Sequence, residues 1–198
     1  MTVGPTPSLK ESRYTLTVSR KPEFEEKHMP PNQPPGVLDG VRILELARWQ
    51  AAPRGGMILR DMGAEVIKLE WSKSSDLRNA GPFVGEMSVQ FAAYNRGKKS
   101  VTLDLKDARG LDILKRLLRV GDVLIDNFKP GTLDKLGISA DWLSQNAPQI
   151  IHCQISGYGD KGPKGGMPGY DFLLQAESGL MSITGAEGGG PTKLGVAI

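Results

Sequence analysis

The 198-residue sequence holds one cysteine and two histidines, so it has no internal disulfide and too few Cys/His ligands for a zinc site. It also lacks long hydrophobic runs. No stretch approaches the ~20 apolar residues of a membrane-spanning helix, and the amino terminus has no apolar signal-peptide core. Charge of one sign is scarce as well: 25 basic residues stand among 22 acids, a net +3 spread along the chain, which speaks against a nucleic-acid footprint. No segment repeats at a fixed period, which excludes solenoids and propellers. Glycine is abundant. Its 25 residues are concentrated after Gly157, so the last quarter is expected to be rich in loops and close backbone approaches. The length suffices for one sizeable core.

Residues 1 to 36 read as a disordered tail and linker, closing on Pro30-Pro31-Asn32-Gln33-Pro34-Pro35-Gly36. Lys10, Arg13, Arg20 and Lys21 against the single acid Glu11 give the tail a weakly mitochondrial character, but Pro5 and Pro7 break any amphipathic helix. The compartment stays undecided between cytoplasm and mitochondrion. Order is expected from Val37. Val41 to Leu46 reads as a strand, Pro53 to Met62 as a helix with Gly63 just past its end, and Glu65 to Glu70 as a second strand. A polar loop over 71 to 86 and a short helix over Met87 to Tyr94 follow. Beyond residue 138, Ala140 to Asn146 reads as a brief helix, Ile150 to Ser156 as a buried strand and Tyr170 to Ser178 as a helix.

The clearest pattern lies between Lys99 and Gly137. Val101 to Leu103 leads into a helix over Ala108 to Arg119 with Leu111, Leu114, Leu117 and Leu118 on one face. Asp107 is its expected N-cap and Gly121 its C-cap. A buried run, Val123 to Ile125, then ends in Asn127-Phe128-Lys129-Pro130-Gly131. Strand, helix, strand is the signature of a parallel sheet. The fold class is α/β, Rossmann-like, with four or five parallel strands and covering helices. Ligands of such sheets sit beyond the carboxyl ends of the strands, where Asp104-Leu105-Lys106 and Asn127 to Gly131 fall.

Several motifs fail on their chemistry. Gly157 to Gly162 has G-x-G-x-x-G spacing, but Pro163, Gly165, Gly166 and Pro168 forbid the helix whose N-terminus would face a pyrophosphate. No acid stands about 20 residues on to hold a ribose, so NAD is rejected. Arg96-Gly97-Lys98-Lys99-Ser100 misses the Walker pattern, because position 92 is Ala92 and Lys99 follows Lys98. Taken with Lys106, Lys129 and Lys135, that basic turn predicts a polyanion site. His152 and Cys153 are strand neighbours on opposite faces and cannot pair. Cys153 is expected in the core and His152 as a satisfied polar partner. Ser156 lies in no G-x-S-x-G elbow. Tyr170 and Asp171 open a helix near the expected mouth, where packing, a first-turn acid and a site role all remain open.

Seven blocks in order resemble CoA-transferase family III: LDGVRILEL, DMGAEVIKLE, NRGKKSVTLDLK, DVLIDNFKPGTLDKLG, ISGYGDKGP, PGYD and SGLMSITG. The likeness runs from about Pro35 to Ile198 and corresponds to the amino-terminal half of the family's chain. The resemblance implies a CoA-transferase that uses CoA and acyl-CoA as substrates, with no tightly bound cofactor, no metal, and neither nucleic acid nor membrane as partner. GPFVG and IIHCQISGYGDKGP resemble the branch using a succinyl-CoA-like donor and a small dicarboxylic acid. A homodimer is implied for the full-length family member. Carried over residue by residue, CoA would lie along Gln50 and Ala51, Leu103, Asp104 and Lys106, Asn127, Phe128 and Lys129, Lys135, and Gly169, Tyr170 and Asp171. Gln50 and Tyr170 would support catalysis.

The resemblance also places the family's nucleophilic aspartate two residues beyond Ile198, so this chain is expected to be inactive alone and to expose more apolar surface than usual for a monomer. An arginine that the family uses after the second strand is Trp71 here, whose ring could stack on adenine instead. The family's racemases carry histidine where Tyr170 stands, and a phenol is a poor acid/base for α-proton transfer at neutral pH. Transferase is therefore preferred over racemase, and a non-catalytic CoA-binding module is the second alternative.

Overall fold

The computed structural model describes residues 36–71 and 77–195. The expected tail and linker therefore lie outside the described residues apart from Gly36, as do residues 72–76 of the expected polar loop. The elements in chain order are β1 (Arg42–Leu46), α1 (Ala51–Asp61), β2 (Glu65–Glu70), β3 (Phe83–Val84), β4 (Met87–Ser88), α2 (Val89–Asn95) and β5 (Lys99–Thr102). There follow α3 (Ala108–Leu118), β6 (Val123–Asp126), α4 (Thr132–Lys135), α5 (Ala140–Asn146), β7 (Ile151–Gln154) and α6 (Asp171–Glu177). Among the described residues, five of these strands form one parallel sheet in the order β5-β2-β1-β6-β7.

Period-two alternation places successive strand residues on opposite faces. Ile43, Val66 and Ile125 point to one side and pack with Ala47, Ala52 and Ala64, next to Leu59 of α1. Leu44, Leu69 and Leu124 point to the other and pack with Leu114 and Leu118 of α3 and Leu143 of α5. Helices thus cover both faces, as the apolar runs of β1, β2 and β6 require. The predicted leucine stripe of α3 is present, and Leu114 and Leu118 are completely buried.

Asp107 caps α3 as expected: its carboxylate accepts from the Arg109 amide at 2.9 Å and pairs with the Arg109 guanidinium at 2.8 Å. The guanidinium and the amide hold its carboxyl down to about 2, from an ordinary 3.8. A lowered folded-state pKa means that the cap's stabilisation is complete above the unfolded value and is lost as pH falls from there through about 2. Urea midpoints recorded between pH 5 and 2 should therefore fall less steeply in Asp107→Asn than in the wild type; parallel slopes would contradict this. The C-cap is Arg119 rather than Gly121. Gly121 instead packs against Leu44, whose side chain lies 3.1 Å from where a Cβ would stand.

Three expectations change. The helix expected from Met87 begins at Val89, because Val84 and Phe83 pair with Met87 and Ser88 in a small hairpin. Ser88 then caps α2, its hydroxyl accepting from the Phe91 amide at 3.2 Å. The strand expected to be buried over Ile150 to Ser156 is shorter and exposed along Ile151–Gln154. The same fact moves Cys153 out of the core: β7 is the edge of the sheet, and Cys153 is exposed. His152 does have its partner, with Nε2 2.5 Å from the buried Asp126 carboxylate. Large apolar side chains stand exposed on β7 and α6, among them Ile151, Phe172 and Leu173. No helix among the described residues is long and apolar enough to cross a membrane.

Candidate functional site

Because the five strands are parallel, their carboxyl ends share one rim, and chain order reverses across the β1–β6 neighbours. A crevice opens at such a reversal. Asn127, directly after β6, spans it: its side-chain oxygen accepts from the Arg48 amide at 2.9 Å and its NH2 donates to the Arg48 carbonyl at 2.7 Å. The polar residue read as a ligand contact is therefore also the clamp that fixes the turn after β1. That turn, residues 47–50, leads into α1 with Gln50 at its N-cap position and Ala51 as its first residue. The Gln50 side chain makes no cap bond and reaches across to Gln90 of α2 at 3.5 Å. Gln90 is in turn held by donating to the Gly81 carbonyl at 3.0 Å.

The rest of the rim is assembled by local turns. Leu103 leaves β5 with its amide bonded to the Glu70 carbonyl at 2.8 Å. Asp104 closes the next turn by accepting from the Lys106 amide at 2.9 Å. Gly110 packs on the Asp104 carbonyl so closely that no Cβ would fit, which ties this turn to α3. The Lys106 ammonium lies 5.2 Å from the centroid of the Trp71 ring, bringing together the ends of β2 and β5. After β6, the Phe128 amide donates to Asp126 at 2.9 Å, and Phe128 packs against the α3-side core. Lys129 and Lys135 are exposed, the first before and the second at the end of the short α4, which begins after Gly131 turns the chain at φ +77°.

The glycine loop after β7 folds back on itself. A Cβ on Gly169 would lie 2.5 Å from the Gly157 Cα, so these two glycines are required by contact between two backbones. Tyr158 and Lys164 both donate to Glu177, at 2.8 and 2.6 Å, which pins the loop to α6. Those hydrogen bonds hold the Glu177 carboxyl below its usual range. Tyr170 is 76% exposed at the start of α6. Asp171 accepts from the buried Gln175 at 2.8 Å, and Gln175 accepts from the Leu194 amide at 2.9 Å.

One expectation about charge is overturned. The basic turn Arg96 to Lys99 precedes β5, so it lies at the amino end of that strand and not on the rim with Lys106 and Lys129. Its charges are used internally: Arg96 pairs with Asp61, Lys98 with Glu45 and Lys99 with Glu65. The sequence reading also missed Glu45, Lys68, Asp126 and Gln175, all buried and polar. A signal existed for two of them. Period two puts Glu45 on the inward face with Ile43, and Lys68 there with Val66.

The chain thus has a doubly wound parallel sheet with a chain-order reversal between β1 and β6 and the exposed Lys106 and Lys129 at its carboxyl rim. The sequence profile of CoA-transferase family III matches residues 38–198. Succinyl-CoA:glutarate CoA-transferase of Mus musculus is 46% identical over 163 residues, covering 81% of this chain and 37% of the relative. Acetyl-CoA:oxalate CoA-transferase of Acetobacter aceti is 40% identical over 166 residues, covering 83% and 43%. The crystal structure of a CAIB/BAIF family protein from Brucella suis superposes with a TM-score of 0.78 at 41% identity, covering 83% of this chain and 45% of that one. The chain belongs to CoA-transferase family III. It spans less than half the length of these relatives.

Proposed function

We propose that the rim grips the phosphorylated tail of coenzyme A and that the chain serves a transferase moving CoA from a succinyl-CoA-like donor to a small carboxylic or dicarboxylic acid. The observation that carries this is the convergence on one rim of Lys106 beside Trp71 with the Asn127–Lys129 turn at the crevice. Phosphates need cationic and amide donors, and a flat ring beside a lysine suits adenine. In this reading Leu103, Asp104 and the turn at Phe128 line the tail, while Lys135, Gly169 and Asp171 close around it. Gln50 and Tyr170 face the thioester end, where the Gln50 amide can donate to a carbonyl oxygen as charge develops on it.

The chemistry of the reading is a covalent relay. An aspartate attacks the thioester carbon, the C–S bond breaks, and an aspartyl anhydride and CoA thiolate form. The thiolate returns to the aspartyl carbonyl, releasing the donor acid and leaving an enzyme thioester. The acceptor carboxylate attacks that thioester to give a second anhydride, and the thiolate then takes the acceptor acyl group and frees the aspartate. Gripping CoA is the part of this chemistry assigned to the described residues. A homodimer of the full-length protein belongs to the same reading.

Calorimetric titration of CoA into residues 1–198, followed by incubation with succinyl-CoA and glutarate, tests it. Saturable binding is expected. Absence of binding would refute the assignment, and α-proton exchange with solvent deuterium would favour a racemase.

A further inference from the structure

Glu45 is 0% exposed and divides its carboxylate between two ammonium groups: Oε1 accepts from Lys68 at 3.1 Å and Oε2 from Lys98 at 2.7 Å. The two lysine side chains are 3% and 1% exposed. The set lies between the sheet and α1, beneath Gly56, where any Cβ would collide with the Glu45 carboxylate. Three buried charges with a net positive sign are a poor way to join a sheet to a helix, since apolar residues of similar volume commonly do as well or better. What the lysines do with their other protons is more specific. Lys68 donates to the Ala47 carbonyl and Lys98 to the Pro53 carbonyl, each at 2.8 Å, so one bond holds the start of the turn that carries Gln50 and the other the first turn of α1 directly after it. Lys98 places a third bond on Asn95 at 3.1 Å.

Between those anchors the backbone is strained. Trp49 sits at φ +63°, a left-handed conformation that a bulky non-glycine residue avoids, and its side chain is exposed. Such a conformation persists where its surroundings over-determine it. Here the surroundings are Lys68 on Ala47, the Asn127 clamp on Arg48 and Lys98 on Pro53. We infer that Glu45, Lys68 and Lys98 are positioning residues, a buried brace that holds the 47–50 turn and the first turn of α1 so that Trp49 and Gln50 are presented at the crevice. The value of that presentation rests on the CoA reading above; the brace itself does not.

Trp49 reports the turn once Trp71 and Trp142 are replaced by phenylalanine, leaving it as the sole indole of the three in the sequence. In that background Lys98→Met should raise acrylamide quenching of Trp49 about twofold with an unchanged far-UV spectrum. With the native tryptophans it should weaken CoA binding about tenfold. The charge-balanced pair Glu45→Gln/Lys98→Met should loosen Trp49 similarly. Unchanged quenching in either folded variant would overturn the inference. Hydrogen exchange on the unmutated chain removes the dependence on mutant folding: the Arg48 and Arg54 amides should exchange as slowly as those of β1, and exchange as fast as at Gly188–Gly190 would overturn it. If the parent binds no CoA, the functional reading fails while quenching and exchange still decide the brace.

Discussion

Lys106→Ala/Lys129→Ala should bind CoA about a hundredfold more weakly than the wild type, with the far-UV spectrum and unfolding midpoint nearly unchanged. Hydrogen bonds between charged partners contribute about 1.5–3 kcal/mol each, and about 1.4 kcal/mol is a factor of ten, so two such contacts at the low end reach this magnitude. Lys129 is exposed and the Lys106 ammonium lies over the Trp71 ring, so little folding stability depends on either side chain. The salt dependence should flatten in parallel, because fewer phosphate charges are neutralised by the variant. Lys99→Ala is the informative control. Lys99 begins β5 and pairs with Glu65 at 2.5 Å, away from the carboxyl rim, so its loss should leave CoA affinity within about twofold. Equal losses from both variants would mean that attraction is diffuse and that the rim is not the site.

Glu45→Ala should have the largest effect on stability, about 3–5 kcal/mol, because it strands two buried ammonium groups. Burial already pulls the Lys98 pKa below its ordinary value, with the attraction of Glu45 acting against that pull. Removing the carboxylate takes away the main attraction opposing desolvation. Against a total stability of about 5–15 kcal/mol, the variant should be close to unfolding at 37 °C. Adding Lys98→Met should recover part of the loss, since one uncompensated charge then goes with it. Urea unfolding of the single and double variants measures both. A Glu45→Ala midpoint within about 1 kcal/mol of the wild type would show that water or a rearranged partner compensates the lysines.

Much of the platform was legible because period and punctuation agree there. The leucine stripe of α3, the cap at Asp107 and the abrupt polar end of β6 at Asn127 all point to one βαβ unit, and the sheet forms accordingly. The edge status of β7 was not legible. Ile151 and Cys153 look like core residues, and whether a strand has a neighbour on both sides is decided by tertiary contacts. The error over Arg96 to Lys99 has a related cause. A basic turn before a strand and one after it are alike in composition, but a parallel strand sends them to opposite edges of the sheet. Asn127 and Gly169 show a further limit. Both were read as ligand contacts, and both also hold the backbone, one through the Arg48 clamp and one through contact with Gly157. Pattern marked these positions without separating a ligand contact from a backbone support.

The claim on which the rest depends is that phosphates dock on the carboxyl rim of this sheet. Crystals of the chain soaked with CoA, refined for difference density, address it directly. Phosphate density is expected within hydrogen-bonding distance of the Lys106 and Lys129 ammonium groups, with the adenine near Trp71. Density at the amino end of β5 beside Lys99, or an empty rim at saturating CoA, would contradict it.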